Sequence, residues 1–199
     1  MSYGQFKISQ LIETFGITII HVPDFFLNVS EVEVSDLLQQ VLRQNLPFAE
    51  TARTEKSLSE WLISPILTDL CAKPNRRLGL FSGVEFNVDH GRGMKGECDF
   101  IISLSNQRYE ITAPVVVVVE AKKGDISLGI PQCIAEMIAV TLFNEQQQKQ
   151  IKKIFGVITT GITWKFLQME NSDVTIDLHE YSIMDKLGKI VGILVSMVS

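Results

Sequence analysis

Five consecutive valines at positions 115–119 constrain the fold of this chain more than any other stretch. An unbroken β-branched run of this kind is typical of a strand buried on both faces in the middle of a sheet. The run ends abruptly in charge, at Glu120, Ala121 and Lys122. Because side chains alternate along a strand, we expect Glu120 and Lys122 on one face and Ala121 on the other. Charges at the end of a buried strand are costly unless they pair or hold a metal ion.

A second strand-like segment, residues 97–104, carries Asp99 among apolar neighbours. A turn through residues 105–107 would lay this segment antiparallel beside the valine strand. Asp99 would then lie near Glu120. The sequence therefore predicts two carboxylates from paired strands at one end of a sheet.

The composition fits one domain with a substantial core, since the chain has 199 residues, of which 46% are hydrophobic. The net charge is -5, and the excess is local: residues 1–60 hold eight acids against four bases. Proteins that grip duplex DNA alone usually have a basic face, so tight autonomous DNA binding is not expected. The acidic N-terminal part is interpreted either as a solvated flank or as a surface for a partner.

The cysteines and the apolar stretches bear on the cellular location of the protein. Cys71, Cys98 and Cys133 lie far apart, in apolar settings and in odd number, which predicts buried thiols rather than disulfides or a metal site. No charged-then-apolar leader opens the chain, and the valine run is too short to span a bilayer. We expect a cytoplasmic protein without a membrane partner.

The order of predicted elements indicates an α/β fold with a central mixed sheet flanked by helices. Ser35 is a candidate N-cap for a helix over 36–46 that stops at Pro47, and a further helix begins after Thr54. Three strands, a helix over 127–144 and two more strands follow. We expect one domain over 1–199. It is divided into a helical N-terminal accessory segment (1–53), a core (54–169) and a C-terminal strand and helix (170–199).

This order, with Asp99 on the second strand and Glu120-Ala121-Lys122 on the third, resembles the PD-(D/E)XK nuclease superfamily and its restriction-endonuclease-like fold. The resemblance covers residues 54–169, and Cys98 stands where the family name has proline. Residues 80–88 and 132–137 resemble small uncharacterised members of cyanobacterial type. The resemblance implies that Asp99 and Glu120 bind Mg²⁺ or Mn²⁺ and that Lys122 positions or activates the attacking water. The Ala121 carbonyl is a candidate additional metal ligand.

Many members of that superfamily add a glutamate on the first helix and a glutamine on the helix after the third strand. The candidates here are Glu55 or Glu60, and Gln132; the analogy favours Glu55. Glu136 lies one turn beyond Gln132 on the same helix face. It either approaches the site or forms a salt bridge on the outside, and the sequence leaves both readings open.

The expected function is a Mg²⁺-dependent nuclease that hydrolyses phosphodiester bonds in DNA, with RNA as an alternative substrate. The low pI of about 5.2 suggests a homo-oligomer, or a protein partner bound through the acidic N-terminal segment. The alternative is a catalytically inactive protein of the same fold that serves as a binding or assembly subunit. In that case Asp99, Glu120 and Lys122 would form a buried ion-pair cluster that caps the sheet.

Overall fold

The structure, a computed structural model, describes residues 1–52, 54–72 and 78–199, so the expected segment boundary at Arg53 lies outside the described residues. The helices in this part of the chain are α1 (Ile8–Phe15), α2 (Asp36–Ala52), α3 (Glu55–Leu58), α4 (Ser64–Ala72), α5 (Ile130–Gln146) and α6 (Ile183–Met197). A π-helical turn, Ser59–Ile63, joins α3 to α4, and 3₁₀ turns lie at Tyr3–Gln5 and Ile126–Gly129. The strands are β1 (Thr18–Val22), β2 (Gly79–Glu85), β3 (Glu97–Ser103), β4 (Val115–Ala121), β5 (Lys153–Thr159), β6 (Thr163–Glu170), β7 (Asp173–Asp177) and β8 (Tyr181–Ser182).

The eight strands form one open mixed sheet in the order β1-β7-β6-β5-β4-β3-β2, with β8 beside β6. Strand β4 is antiparallel to β3 and parallel to β5, and the crossover between β4 and β5 contains α5. All seven residues of β4 are buried. The prediction of an α/β fold with a mixed sheet, and with the valine strand in its interior, is confirmed.

Two apolar layers cover the two faces of the sheet. Side chains of α2, α3, α4 and α6 pack on one face, against residues that include Val117 and Val119. Helices α1 and α5 cover the other face, against residues that include Val118 and Ile158. The N-terminal segment belongs to this architecture, because β1 pairs in parallel with β7 at the edge of the sheet.

Helix α2 corrects the prediction that Pro47 stops the helix, because it continues to Ala52 with Pro47 inside it. A proline costs an internal helix one backbone hydrogen bond, and tertiary packing can outweigh this cost. Here Ala49 is fully buried beyond the proline, and the Phe48 ring stacks on Trp61 with centroids 5.0 Å apart. Packing on the segment between α3 and α4 therefore stabilises the helix beyond the unfavourable residue.

The connection between β3 and β4 is longer than predicted. The strands pair antiparallel as expected, but β3 ends at Ser103 and β4 begins at Val115, so the loop spans 104–114 instead of 105–107. The Leu104 amide donates to the Pro114 carbonyl at 2.8 Å and closes the base of this loop. Polar residues in 105–110 mark the turn region correctly, but the residues after them extend the loop without adding to either strand.

Gly156 on β5 sets how closely α5 approaches the sheet. A Cβ atom on this glycine would lie 2.6 Å from the sulfur atoms of both Cys133 and Met137. Real Cβ atoms do not approach other heavy atoms so closely, so a side chain here must displace these two side chains or the helix that carries them. The separation of α5 and β5 depends on this residue.

We expect Gly156→Ala to lower the free energy of unfolding by about 2 kcal/mol, the usual effect of overpacking a core. Chemical denaturation measures this difference. Gly91→Ala is the matched control, because the Gly91 Cβ would meet only the Asp89 carboxylate at 3.4 Å, in an exposed turn. Equal stability of the two variants would show that α5 can shift without cost.

Lys189 on α6 is buried and holds the turn before α2. Its ammonium group donates to the carbonyl oxygens of Phe26 at 2.8 Å, Leu27 at 2.9 Å and Val29. Three carbonyls therefore use all three donors of one ammonium. This segment forms turns and no helix or strand, and the charge-assisted hydrogen bonds from Lys189 hold it in place.

Lys189→Met should destabilise the protein by about 2 kcal/mol, because three carbonyls in and near the core lose a charged donor. Lys186→Met on the same helix is the control: Lys186 pairs with Glu31 at 3.8 Å, and both side chains are substantially exposed. Exposed pairs of this kind contribute little. Thermal melts of the two variants test the difference, and a Lys189→Met protein as stable as Lys186→Met would contradict this role.

The helical stretch Ile126–Gln146 is long and apolar enough to cross a membrane by length and composition, and more than half of it is buried inside the structure. A core helix passes the same test, so the stretch carries little weight as evidence of a membrane segment. Its central residues pack against β4 and β5.

Candidate active site

The candidate site lies where β4 ends, between β3 and the start of α5. Phe100 is paired with Val119, so the register places Asp99 opposite Glu120. The Ala121 amide donates to Asp99 Oδ2 at 2.7 Å, which fixes the Asp99 carboxylate at the end of β4. The hairpin predicted from the sequence therefore brings the two carboxylates together.

A chain of polar contacts leads from β4 to α5. Lys122 Nζ forms an ion pair with Glu120 Oε1 and donates to Gln132 Oε1 at 3.2 Å. The Gln132 amide nitrogen in turn donates to Glu136 Oε1 at 3.1 Å. Glu120 is 2% exposed and Glu136 is fully buried, so this chain lies largely out of solvent.

All three acids of the site have a raised pKa. Burial raises the pKa of Asp99, although the Ala121 amide and Lys122 oppose this shift. Burial and then the charge of Asp99 raise the pKa of Glu120 from its ordinary value of 4.5 to about 7. Burial and the charge of Glu120 raise the pKa of Glu136 well above its ordinary range. The site therefore holds more acid than one ammonium group can keep ionised.

Lys122 is held in its charged form. Burial lowers the pKa of this lysine, but the hydrogen bond to Glu120 and the charges of Glu120, Glu55 and Asp99 outweigh burial and raise it. At neutral pH Lys122 is thus a hydrogen-bond donor and a positive charge, not a proton acceptor.

Glu55 and Glu60 were proposed for the helix that begins after Thr54, and the structure places them differently. Thr54 caps α3, and Glu55, the first residue of α3, accepts a hydrogen bond from the Lys123 amide at 3.2 Å. Glu60 points elsewhere: it is exposed and pairs with Lys56 at 3.8 Å. The structure thus brings Glu55 to the site and does not bring Glu60, because five residues turn the helix to a different side.

The donor atoms at the site bear on whether a metal ion fits. Among the residues that the structure describes, no group of three or more His, Cys, Asp and Glu side chains is arranged to hold an ion. Within the same residues, Glu120 Oε2 and Glu136 Oε2 are buried without a donor from another residue, and the two carboxyl groups lie within hydrogen-bonding reach of each other. Mg²⁺ is usually held by only one or two carboxylates together with water and substrate phosphate. Asp99 and Glu120 supply that number of carboxylates at the end of β4.

One contribution to the site was left open by the sequence, and another was not predicted. Glu136, left undecided from the sequence, is buried and orients the Gln132 amide; its signal was the spacing of four residues on one helix. The 3₁₀ turn Tyr3–Gln5 packs on α5, and a Cβ on Gly4 would lie 3.2 Å from Gln132 Oε1. Local patterns in residues 1–7 gave no sign of this contact, because it depends on the path of the chain around the sheet.

Comparison of the chain with family models, with curated proteins and with solved structures finds no match.

Proposed function

We propose that this protein is a metal-dependent nuclease that hydrolyses phosphodiester bonds, with DNA as the first substrate to test. The observation that carries the proposal is the convergence of Asp99 and Glu120, from paired strands, with the ammonium group of Lys122. Both carboxyls have a raised pKa at this point. An arrangement that disfavours its own ionisation is typical of a functional site rather than of a stability device.

A divalent cation would relieve the crowding of negative charge. Asp99, Glu120 and the carbonyl of Ala121 are the groups proposed to hold Mg²⁺ or Mn²⁺. When bound, such an ion polarises the phosphate and lowers the pKa of a bound water. The oxygen-only donor set suits these hard cations.

The remaining polar residues act on the water and the phosphate. Lys122, charged and fixed between Glu120 and Gln132, donates a hydrogen bond to the attacking water or to the negative charge that develops on the phosphate. Gln132 keeps the Lys122 ammonium in place, and Glu136 keeps the Gln132 amide in one orientation. A site held this way needs little rearrangement during the reaction.

The connectivity supports the proposed likeness to the PD-(D/E)XK superfamily. Strands β2, β3 and β4 form an antiparallel meander, and α5 then leads to β5, which is parallel to β4. Asp99 lies on the second of these strands and Glu120 on the third, as the resemblance implies. We propose the restriction-endonuclease-like core on this basis.

A non-catalytic role in binding or assembly is the second candidate. It is favoured by the Lys122–Glu120 ion pair, which occupies one oxygen of the proposed metal ligand. If that pair is permanent, the residues only cap the sheet, and the acidic N-terminal segment is the proposed partner surface.

Cleavage of plasmid and of single-stranded DNA, with Mg²⁺ or Mn²⁺ and with EDTA, tests the proposal. We expect metal-dependent cleavage by the wild type and at least a hundredfold loss in Asp99→Ala and in Lys122→Ala, since each removes a charge that contacts the reaction centre. Equal activity in the wild type and these variants would identify a contaminating nuclease and reject the proposal.

The variants Glu55→Ala and Glu60→Ala test which of these two carboxylates contributes to cleavage. We expect Glu55→Ala to lower cleavage by about tenfold, because Glu55 fixes the backbone at Lys123 and adds negative charge near Asp99. Glu60→Ala should retain full activity, since Glu60 pairs only with the exposed Lys56 in the described structure. The same cleavage assay compares the two variants. A larger loss in Glu60→Ala than in Glu55→Ala would show that the segment that carries both residues is rotated from the position described above.

A further inference from the structure

The 3₁₀ turn Tyr3–Gln5 packs on α5, the helix that carries Gln132. Gly4, the middle residue of this turn, is exposed, and a Cβ atom on it would lie 3.2 Å from Gln132 Oε1 and 3.7 Å from Gln132 Cδ. Among the described residues, only Gln132 comes within 4 Å of that position, apart from the chain neighbours of Gly4. The backbone of the turn therefore covers the Gln132 carboxamide closely.

The covered carboxamide connects Lys122 to Glu136. Gln132 Oε1 accepts a hydrogen bond from Lys122 Nζ at 3.2 Å, and Gln132 Nε2 donates to Glu136 Oε1 at 3.1 Å. A flipped amide would turn its NH₂ group toward the ammonium, which has no acceptor. The two hydrogen bonds thus fix which way the carboxamide points, and the contact with Gly4 limits where it lies.

Two buried side chains anchor the turn to the connection between β2 and β3. Tyr3 is 1% exposed; its hydroxyl donates to the Phe86 carbonyl, and its amide donates to the Lys95 carbonyl at 3.2 Å. Phe6 follows the turn and is also buried, and a Cβ on Gly93 would lie 3.2 Å from its ring. The turn is therefore held from the side of β2 and β3 and can restrain a residue of α5.

We infer that the turn Tyr3–Gln5 is a positioning element, which holds the Gln132 carboxamide and, through it, the Lys122 ammonium in one place. Tyr3 and Gly4 act through Gln132 and are positioning residues, not catalytic ones. The hold on Gln132 stands on the contacts described above, whereas its effect on the reaction rate rests on the proposed nuclease function.

Tyr3→Phe tests the contact of the unmodified turn, because it keeps the buried ring and removes the hydroxyl that anchors it. Tyr109→Phe is the matched control, since Tyr109 is fully exposed. The side-chain amide signals of Gln132 are identified in ¹H–¹⁵N spectra of the metal-free protein by their absence in Gln132→Ala. They should shift or broaden in Tyr3→Phe and stay in place in Tyr109→Phe. Unchanged signals in Tyr3→Phe would overturn the inference.

Gly4→Ala tests the same contact by adding one methyl group, which forces Gln132 Oε1 to move by a few tenths of an ångström. Gly91→Ala is its control, because that Cβ would meet only the Asp89 carboxylate, at 3.4 Å. The Gln132 amide signals should shift in Gly4→Ala and not in Gly91→Ala. Equal spectra of the two variants in this region would show that the turn does not restrain Gln132.

The effect on cleavage is tested by a double-mutant cycle. In Gly4→Ala, kcat should fall about fivefold with KM unchanged, because a small displacement of Gln132 weakens the hold on Lys122. In a Gln132→Ala background the same change should have no further effect, since the added methyl group then meets no carboxamide. This non-additivity separates positioning through Gln132 from a general structural effect. Equal losses in both backgrounds would overturn the inference.

The spectra require neither metal nor substrate, so the two proposals fail separately. Shifted Gln132 signals in a protein that does not cleave DNA would reject the nuclease and support the hold of the turn on Gln132. Cleavage by the wild type, together with Gln132 signals that neither variant changes, would reject the positioning element and retain the nuclease.

Discussion

The Mg²⁺-dependent cleavage rate of the Glu120→Gln variant should be at least about a thousandfold lower than that of the wild type, because the change removes the buried carboxylate proposed to hold the ion. Glutamine has nearly the shape of glutamate and can still accept a hydrogen bond from Lys122, so packing at the end of β4 is conserved. The loss therefore reports the missing negative charge. Initial rates on a fluorescent oligonucleotide, at saturating Mg²⁺ and substrate, measure it.

Glu60→Gln is the matched control for this loss. It makes the same chemical change at an exposed glutamate that pairs with Lys56, and it should retain the wild-type rate. If Glu120→Gln cleaves as fast as Glu60→Gln, Glu120 takes no part in the mechanism. The remaining interpretation is then that Glu120 and Lys122 form an ion pair that only caps the sheet.

Without divalent ions, the wild type should lose about 2.5 kcal/mol of stability between pH 5 and pH 8 through Glu120 alone. The pKa of Glu120 is about 7 in the folded protein and 4.5 as its ordinary value, and such a difference corresponds to roughly 3 kcal/mol. Between these values the folded state holds a proton that the unfolded state has released. The contribution of Glu120 to stability is therefore fully present below pH 4.5 and is lost as pH rises through 7.

The neighbouring groups reinforce this direction. The pKa of Glu136 and of Asp99 is also raised, so each of them adds to the loss. The pKa of Lys122 is raised above 10.5, and its contribution is constant in this window. Urea unfolding at several pH values measures the profile, and the double variant Glu120→Gln/Glu136→Gln should flatten it.

Added Mg²⁺ should restore stability at pH 8 in the wild type and not in the double variant, because a ligand that binds only the folded state stabilises it. A wild-type profile that rises from pH 5 to pH 8 would contradict the assigned pKa direction. A flat profile would indicate that water reaches Glu120 and removes the burial that raises its pKa.

The sheet was predictable from the sequence where the pattern was strong. The valine run identified β4 as a buried strand, and Thr54 identified the start of α3, because both signals are local. Pro47 was misjudged since a local rule for helix ends was outweighed by packing of Phe48 on Trp61. Such packing between segments is not visible in a local pattern.

The candidate site likewise contains residues that local patterns could place and residues that they could not. Asp99, Glu120 and Lys122 lie on paired or consecutive positions of strands, so alternation and pairing suffice to place them together. The resemblance already favoured Glu55 over Glu60, and the orientation of α3 shows the separate positions of the two side chains. The role of Glu136 needed its burial, because a glutamate in a helix is more often exposed.

Calorimetric titration of Mn²⁺ into the metal-free protein at pH 8 tests the central claim most directly, which is that the acids at the end of β4 bind a divalent ion. The account predicts a saturable heat in the wild type and in Glu60→Gln, and its loss in Asp99→Asn and in Glu120→Gln. Absence of binding in the wild type, or equal binding in all four proteins, would contradict it.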